Sequence, residues 1–293
     1  MIGHLGFLLS LAVGSSAQAH TVASIDVGRG PVQLMIPDGY VQSRPVPLII
    51  SLHGFGGSGQ SYLLYWQRNG QVDKGGFIMA APTGTTDSKG RAFWNATDAC
   101  CNKDHTDIDD AGYLRRLIEA IEGAYAIDPA SIHITGYSNG GFMAHKMACE
   151  HADKVASIVS VAGAGFANPE DCTPTGPVSV LQVHGLEDPI IRYDGGTLQD
   201  YARKTQTPYP GSLASVQAWV KHNGAKPEPT EGPLRDFSSR ATGDDTRVIR
   251  FEGGQGSAEL WAIAGEGHVP RLSDAFHQAV TDWMLSHQKD AKQ

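Results

Sequence analysis

The residues with the clearest chemical potential are Gly136-Tyr137-Ser138-Asn139-Gly140, a serine with glycines two positions before and two after. A sharp strand-to-helix turn crowds those two positions, so glycine fits there. The hydroxyl at the apex is then presented above a sheet at a helix N-terminus. An alcohol is a weak nucleophile until a base takes its proton and a third group orients that base. The chemistry this spacing could support is therefore acyl transfer, with Ser138 attacking a carbonyl carbon. The plain alternative is a Gly-rich helix start. The strand-like run Ser131 to Thr135 before the motif and the helical pattern Asn139 to Glu150 after it favour the nucleophile.

In this arrangement the acid and then the base follow the nucleophile along the chain. Of the histidines after Ser138, His145 and His151 belong to or just follow its own helix, and His222, His277 and His287 lie on or near others. His184 ends a strand. His268 alone sits in a Gly-rich loop, Gly265-Glu266-Gly267-His268, directly after a strand, where a flexible turn can carry an imidazole over the sheet edge; it is the expected base. Asp188, in His184-Gly185-Leu186-Glu187-Asp188-Pro189, is the expected orienting carboxylate, with Glu187 its neighbour and Asp194 the rival. The oxyanion that forms during attack needs fixed donors. Asn139, just after the nucleophile, offers one backbone N–H; His53-Gly54-Phe55-Gly56-Gly57 offers the other, from Phe55.

These groups need a scaffold that ends several strands at one edge. Pro31 to Pro37, Pro45 to Leu52, Phe77 to Ala81, Ser131 to Thr135, Val155 to Val161, Val178 to His184, Thr246 to Glu252 and Glu259 to Ala264 read as strands. Helical spacing runs from Ile108 to Tyr125, where Asp128-Pro129 stops it, and again over Leu213 to His222 and Ser273 to His287. Alternation of this kind predicts an α/β fold with a mostly parallel sheet covered by helices on both faces. The Gly-, Pro- and charge-rich stretch from Gly224 to Asp245 reads as a surface excursion, so one catalytic domain is expected over residues 20–293.

Composition excludes several alternatives. The 293 residues carry 23 Lys+Arg against 31 Asp+Glu, a formal net charge of −8, without the basic runs that phosphate backbones demand, so no nucleic-acid partner is expected. No apolar stretch is long enough for a membrane span, and nothing points to an obligate protein partner. Residues 1–19 lack charged side chains, have an apolar stretch from Leu5 to Val13 and end in Ala17-Gln18-Ala19, which fits an export leader although a basic residue at its start is missing. Cleavage there would expose His20, whose amine and imidazole could chelate copper only by coincidence. Four cysteines, Cys100, Cys101, Cys149 and Cys172, agree with an oxidising destination. They allow three pairings, among which the sequence does not choose. Asp104, Asp107, Asp109 and Asp110 with His105 could be imagined around a cation, but acidic residues also favour a helix N-terminus, and no metal is expected. Asn95-Ala96-Thr97 is a glycosylation sequon.

Taken in order, HGFGG, FWNATDACC, DIDDAGYL, ITGYSNGGFMAHKMACE, VHGLEDP with YDGG, and GEGH resemble the secreted esterases grouped with polyhydroxybutyrate depolymerases, feruloyl esterases and acetylxylan esterases. The resemblance runs from about Pro45 to Pro270. It implies an α/β-hydrolase fold, ester hydrolysis without a cofactor, a triad of Ser138, Asp188 and His268, and oxyanion donors at Phe55 and Asn139. Many members follow the catalytic His with x-Trp-Pro; here the run is His268-Val269-Pro270, and that aromatic is absent. Trp94 and Tyr137, and after them Trp66, are the candidate aromatic walls for a substrate ring. The expected substrate is a feruloyl or acetyl ester of plant cell-wall polysaccharide, with a polyester oligomer second. A serine peptidase and a non-catalytic carbohydrate-binding protein are the rivals; the first lacks an evident anchor for a peptide terminus, and the second would have little use for all three triad residues.

Overall fold

The computed structural model describes residues 21–200, 203–240 and 242–290, so the leader expected over residues 1–19 and the terminus at His20 lie outside it. Two strands open the described chain, β1 (Thr21–Asp26) and β2 (Pro31–Ile36), paired antiparallel. β3 (Val46–Leu52), α1 (Gly59–Asn69), α2 (Gln71–Gly75) and β4 (Ile78–Ala80) follow, then a short pair, β5 (Thr85–Thr86) and β6 (Ala92–Phe93). The centre runs α3 (Asp110–Ala124), β7 (Ile127–Tyr137), α4 (Asn139–Glu150), β8 (Ser157–Val161) and β9 (Ser179–Gly185). A hairpin of β10 (Gly195–Asp200) and β11 (Thr205–Pro210) precedes α5 (Ser212–Asn223). β12 (Pro229–Glu231), β13 (Thr246–Phe251), β14 (Ala258–Ile263) and α6 (Asp274–Ser286) complete the order.

Ten of these strands form one sheet in the order β1-β2-β4-β3-β7-β8-β9-β14-β13-β12. The stretch from β4 to β14 is parallel throughout, and the outer strands on both sides are antiparallel. Side chains alternate between the two faces of a strand. Leu48, Ile50 and Leu52 of β3 accordingly pack with α3 and α4 residues such as Leu117, Ile121, Phe142 and Met147. Ile49 of the same strand packs on the other face with Leu63, Phe276, Val280 and Met284 from α1 and α6. Burial on both faces explains why the central strands read as nearly continuous apolar runs. This is the α/β-hydrolase fold, a mostly parallel sheet between two layers of helices.

Several elements depart from the sequence expectation. β7 starts at Ile127 and passes through Asp128-Pro129, which had read as a helix stop. Its pairing with β3 jumps from Val46↔Ile127 to Leu48↔Ile132, so Pro129 sits in an irregular, unpaired stretch where a missing N–H costs nothing. α1 was not expected, because its sequence GQSYLLYWQRN carries too little apolar periodicity. The β10–β11 hairpin is polar and half exposed, and β12 lies inside the stretch read as irregular excursion. The cysteines pair as Cys100–Cys101 and Cys149–Cys172. The second bond, across 23 residues, ties the end of α4 to the segment after β8. Among the described residues no helix is long and apolar enough to cross a membrane.

Candidate active site

Parallel strands end at the same edge, so β3, β7, β9 and β14 deliver their following loops to one rim. At the end of β7 the chain turns into α4 through Ser138, whose φ of 52° and ψ of −117° lie outside the ordinary regions. The crowding that demands glycine is visible: a Cβ on Gly136 would stand 2.0 Å from Gly140 O, and one on Gly140 would stand 2.3 Å from Leu52 O. Such strain persists only where the surroundings over-determine it. Here Ser138 N–H donates to Val161 O at 2.8 Å on the neighbouring strand.

Asp188 follows β9 and His268 follows β14, three strands away from β7 in the sheet order. The two loops lean back toward the serine. His268 Nε2 lies 2.9 Å from Ser138 Oγ, and His268 Nδ1 lies 2.8 Å from Asp188 Oδ2. The other oxygen, Asp188 Oδ1, accepts the N–H groups of Ile190 and Ile191 at 2.8 and 2.9 Å. Burial pushes the Asp188 carboxyl up, but hydrogen bonds from His184, His268 and the Ile190 N–H, with the charge His268 can carry, outweigh it and hold the group below the usual carboxylate range. Asp194, the rival acid, directly precedes the β10–β11 hairpin, and among the described residues the ion pair to His268 comes from Asp188.

The His268 loop does not swing freely as its glycines suggested. Glu266 is fully buried and accepts from Ser238 Oγ at 2.5 Å, Arg240 Nε at 3.0 Å and the Arg271 N–H at 3.0 Å. Tyr137, next to Ser138, donates its hydroxyl to His268 O at 2.8 Å. Burial, aided by the Asp188 charge, pushes the Tyr137 phenol up to about 12, so it remains a donor. Its ring, half-buried, lies tilted against the His268 imidazole with centroids 5.4 Å apart.

On the other side of Ser138, the loop after β3 is equally fixed. The N–H of Gly56 donates to Ala92 O at 2.7 Å and that of Gly57 to Gly54 O at 2.9 Å. Among the described residues no acceptor takes the Phe55 N–H. Asn139 opens α4, so its N–H is one of the four that no helix carbonyl can satisfy. His53 is buried and braces this loop: Gly84 N–H donates to Nε2 at 2.9 Å, so the ring proton is on Nδ1 and is donated to Gly54 O at 2.7 Å. Burial lowers the His53 pKa, which keeps that neutral form. The Phe55 ring is flanked by Arg91 and Lys103, whose charged groups stand 4.8 and 4.5 Å from its centroid.

Trp94 takes a different place from the substrate wall expected of it. It is fully buried, and its indole N–H donates to His53 O at 3.0 Å. Its backbone makes a reciprocal pair with the Asn139 side chain, Trp94 N–H to Oδ1 at 2.7 Å and Nδ2–H to Trp94 O at 2.9 Å. A ring with no accessible face cannot stack on a substrate, so its part is to lock the turn at Ser138 to the loop after β3. Trp66 is likewise core, donating to Ser51 Oγ at 2.9 Å. The acidic cluster disperses: Asp109 caps α3 on Gly112 N–H at 2.6 Å, Asp110 pairs with Arg29, Asp104 accepts from Ser88, and His105 faces Asp200 at 2.9 Å. Asn95 of the sequon donates to Ile108 O at 2.8 Å. The sequence reading passed over the bracing by His53, the Asn139 side chain and Glu266. Only their position beside the motifs hinted at it.

Residues 41–212 match the Phospholipase/Carboxylesterase family, more than half of the chain. Feruloyl esterase B of Piromyces equi is 28% identical over 81% of this chain and 42% of its own length, so the chain spans less than half of that relative. Feruloyl esterase C of Emericella nidulans is 27% identical over 85% of this chain and 90% of its own. Among solved structures, an acetyl xylan esterase from Aspergillus awamori covers 90% of this chain and 98% of itself with a TM-score of 0.59 and 15% identity, a likeness of fold. With this sheet and this rim of loops, the chain belongs to the Phospholipase/Carboxylesterase family.

Proposed function

We propose that this protein is a secreted serine esterase acting on feruloyl or acetyl esters of plant cell-wall polysaccharide. The single observation that carries the catalytic reading is the pair of contacts at His268, 2.9 Å to Ser138 Oγ and 2.8 Å to Asp188 Oδ2. As the Ser138 Oγ–carbonyl carbon bond forms, His268 Nε2 takes the hydroxyl proton and Asp188 stabilises the resulting imidazolium. The carbonyl π pair moves to oxygen, where the N–H groups of Phe55 and Asn139 receive the charge. Collapse breaks the bond to the alcohol oxygen, which leaves with the proton from His268. Water then repeats the attack on the acyl-serine, giving the carboxylic acid and free Ser138. No cofactor enters any step.

The substrate reading draws on the feruloyl esterases among the relatives. The half-exposed Tyr137 ring beside His268 offers a surface for a phenolic or sugar ring. A second reading, hydrolysis of short polyester, is favoured by the exposed apolar side chains at the rim: Leu186 and Ile190 flank Asp188 in sequence, and Val269, 71% exposed, follows His268. Export with removal of residues 1–19 is supported by the leader pattern and by two disulfides, which persist in oxidising compartments.

Turnover of methyl ferulate, acetylated xylan and a polyhydroxybutyrate film under identical conditions tests the substrate class. Loss of roughly 10⁴-fold or more in kcat is expected for Ser138→Ala on whichever ester is cleaved. Equal turnover by wild type and Ser138→Ala would end the esterase reading. Release of p-nitroanilide from peptides without ester turnover would replace it with a peptidase.

A further inference from the structure

Beneath the site runs a buried row of polar side chains from three separate elements. Trp219 on α5 donates its indole N–H to His145 Nδ1 at 3.1 Å. His145 Nε2, on α4, lies 3.0 Å from Gln182 Oε1 in the middle of β9. Gln182 Nε2 reaches Gly163 O at 2.9 Å and His184 Nδ1 at 3.2 Å. His184 Nε2 stands 2.7 Å from Ile191 O and 3.3 Å from Asp188 Oδ2, the oxygen that also faces His268. All four side chains are buried.

The proton positions in this row follow from what each group can do. An indole N–H only donates, so His145 accepts on Nδ1 and carries its proton on Nε2. That proton goes to Gln182 Oε1, which turns the amide NH₂ toward Gly163 O and His184 Nδ1. His184 must therefore accept on Nδ1 and carry its proton on Nε2, pointing at Ile191 O and Asp188. Every donor in the row meets an acceptor. A second proton on His184 would meet the amide NH₂. Reversing the amide would set its NH₂ against His145 Nε2–H, and reversing His145 would set Nδ1–H against the indole N–H. Because all four side chains are buried, each clash would leave a buried donor without an acceptor.

We infer that His184 is a positioning residue, held as a neutral donor by Gln182, His145 and Trp219, so that Asp188 spends its charge on His268 alone. Asp188 lies between two imidazoles. Were His184 to become an imidazolium it would compete with His268 for the same carboxylate oxygen, and His268 would lose its reason to accept the serine proton. The inference rests on Ser138, His268 and Asp188 acting as proposed. The other titratable groups facing this end of the row are Tyr193, whose ring centroid is 6.1 Å from that of His184, and Tyr137 beside Asp188. Burial raises both phenols and keeps them neutral.

Nitrogen-detected NMR of the whole protein with ¹⁵N-histidine is the direct test. His184 is expected as the neutral Nε2–H form in the native protein; an Nδ1–H signal or a doubly protonated ring there overturns the inference. Gln182→Glu supplies an acceptor to His184 Nδ1 and should charge it. The acid limb of kcat/KM should then move down by roughly half a pH unit to one unit, with kcat about tenfold lower and KM unchanged. A charged His184 with an unmoved profile also overturns it. Should Gln182→Glu fail to fold, Trp219→Phe removes the far donor and lets the row reverse. A second proton on His184 is then expected at low pH, and its absence counts against the inference. Ser138→Ala separates the two questions: its full activity would remove the triad, while the His184 signal would still report the order of the row.

Discussion

His133 and His145 are enclosed on opposite sides of α4's strand partner, and both are fully buried. His133 sits between Ser131 Oγ at 2.9 Å and Ser157 Oγ at 2.8 Å, hydroxyls that suit a neutral ring. Burial, with His287 nearby as a second positive influence, lowers His133 to about 3. Burial lowers His145 to about 4, partly opposed by Gln182. In the unfolded chain both titrate near 6.5. Between pH 6.5 and those lowered values the unfolded state binds more protons than the folded one, so stability falls as pH falls. Above 6.5 the effect is absent, and below the folded values it has saturated. At pH 5 each ring costs about 2 kcal/mol, a gap of 1.5 units at 1.36 kcal/mol per unit, or about 4 kcal/mol for the pair. That is a large share of the roughly 5–15 kcal/mol that stabilises a typical domain. Urea unfolding followed by tryptophan fluorescence at pH 7.5 and pH 5 should show it, and His133→Gln should reduce the difference by about half. A stability that stays level over this range, or a difference that His133→Gln leaves intact, would refute the assignment of these rings as buried and neutral.

Asn139→Ala removes both hydrogen bonds of the reciprocal pair with Trp94 and leaves the buried Trp94 N–H without a partner, while Trp94 O keeps the Ala96 N–H at 2.9 Å. A loss of roughly 2–4 kcal/mol in urea unfolding is expected, together with a fall in kcat because the loop after β3 is no longer tied to the nucleophile turn. Cys172→Ser opens the 23-residue loop closed by Cys149 and should cost roughly 3 kcal/mol, measured as a lower midpoint that reductant does not lower further through this bond.

How much of this was legible in the sequence follows the range of each interaction. The turn at Ser138 is only partly local: Gly136 answers to crowding by Gly140 itself and Gly140 to the Leu52 carbonyl on β3, yet their spacing around Ser138 announced the strand, the turn and the helix together. Asp188 and His268 could be chosen because each follows a strand run and only certain loops reach the rim. Trp94 failed because an aromatic in a motif looks the same whether it lines a cleft or fills the core, and the side chain that ties its backbone in place, Asn139, is 45 residues away. The row of Trp219, His145, Gln182 and His184 was invisible for the same reason, since it joins α4, β9 and α5. Gln182 and His184, polar on the same face of the central strand β9, were the local sign. The polar hairpin β10–β11 and α1 escaped because tertiary packing, not periodicity, fixes them.

Glu266 extends the same logic to the loop that carries His268. A buried carboxylate is costly unless its acceptor capacity is filled by donors. Here Ser238, Arg240 and the Arg271 N–H supply three, from segments on both sides of His268. Glu266→Gln keeps the shape but can accept on one oxygen only, so its NH₂ must confront at least one of those donors and leave Arg240 without its counter-charge. Breaking one side of a buried pair of this kind typically costs about 3–5 kcal/mol; with Arg240 partly exposed, roughly half of that is expected here. If the anchored loop is what holds His268 2.9 Å from Ser138, kcat should fall by about tenfold or more at temperatures where the variant is still folded, with KM little changed. Thermal unfolding and initial rates on one preparation separate the two effects. A variant that is less stable yet turns over at the wild-type rate would show that Tyr137 and Asp188 suffice to hold the imidazole, and that Glu266 serves the fold alone.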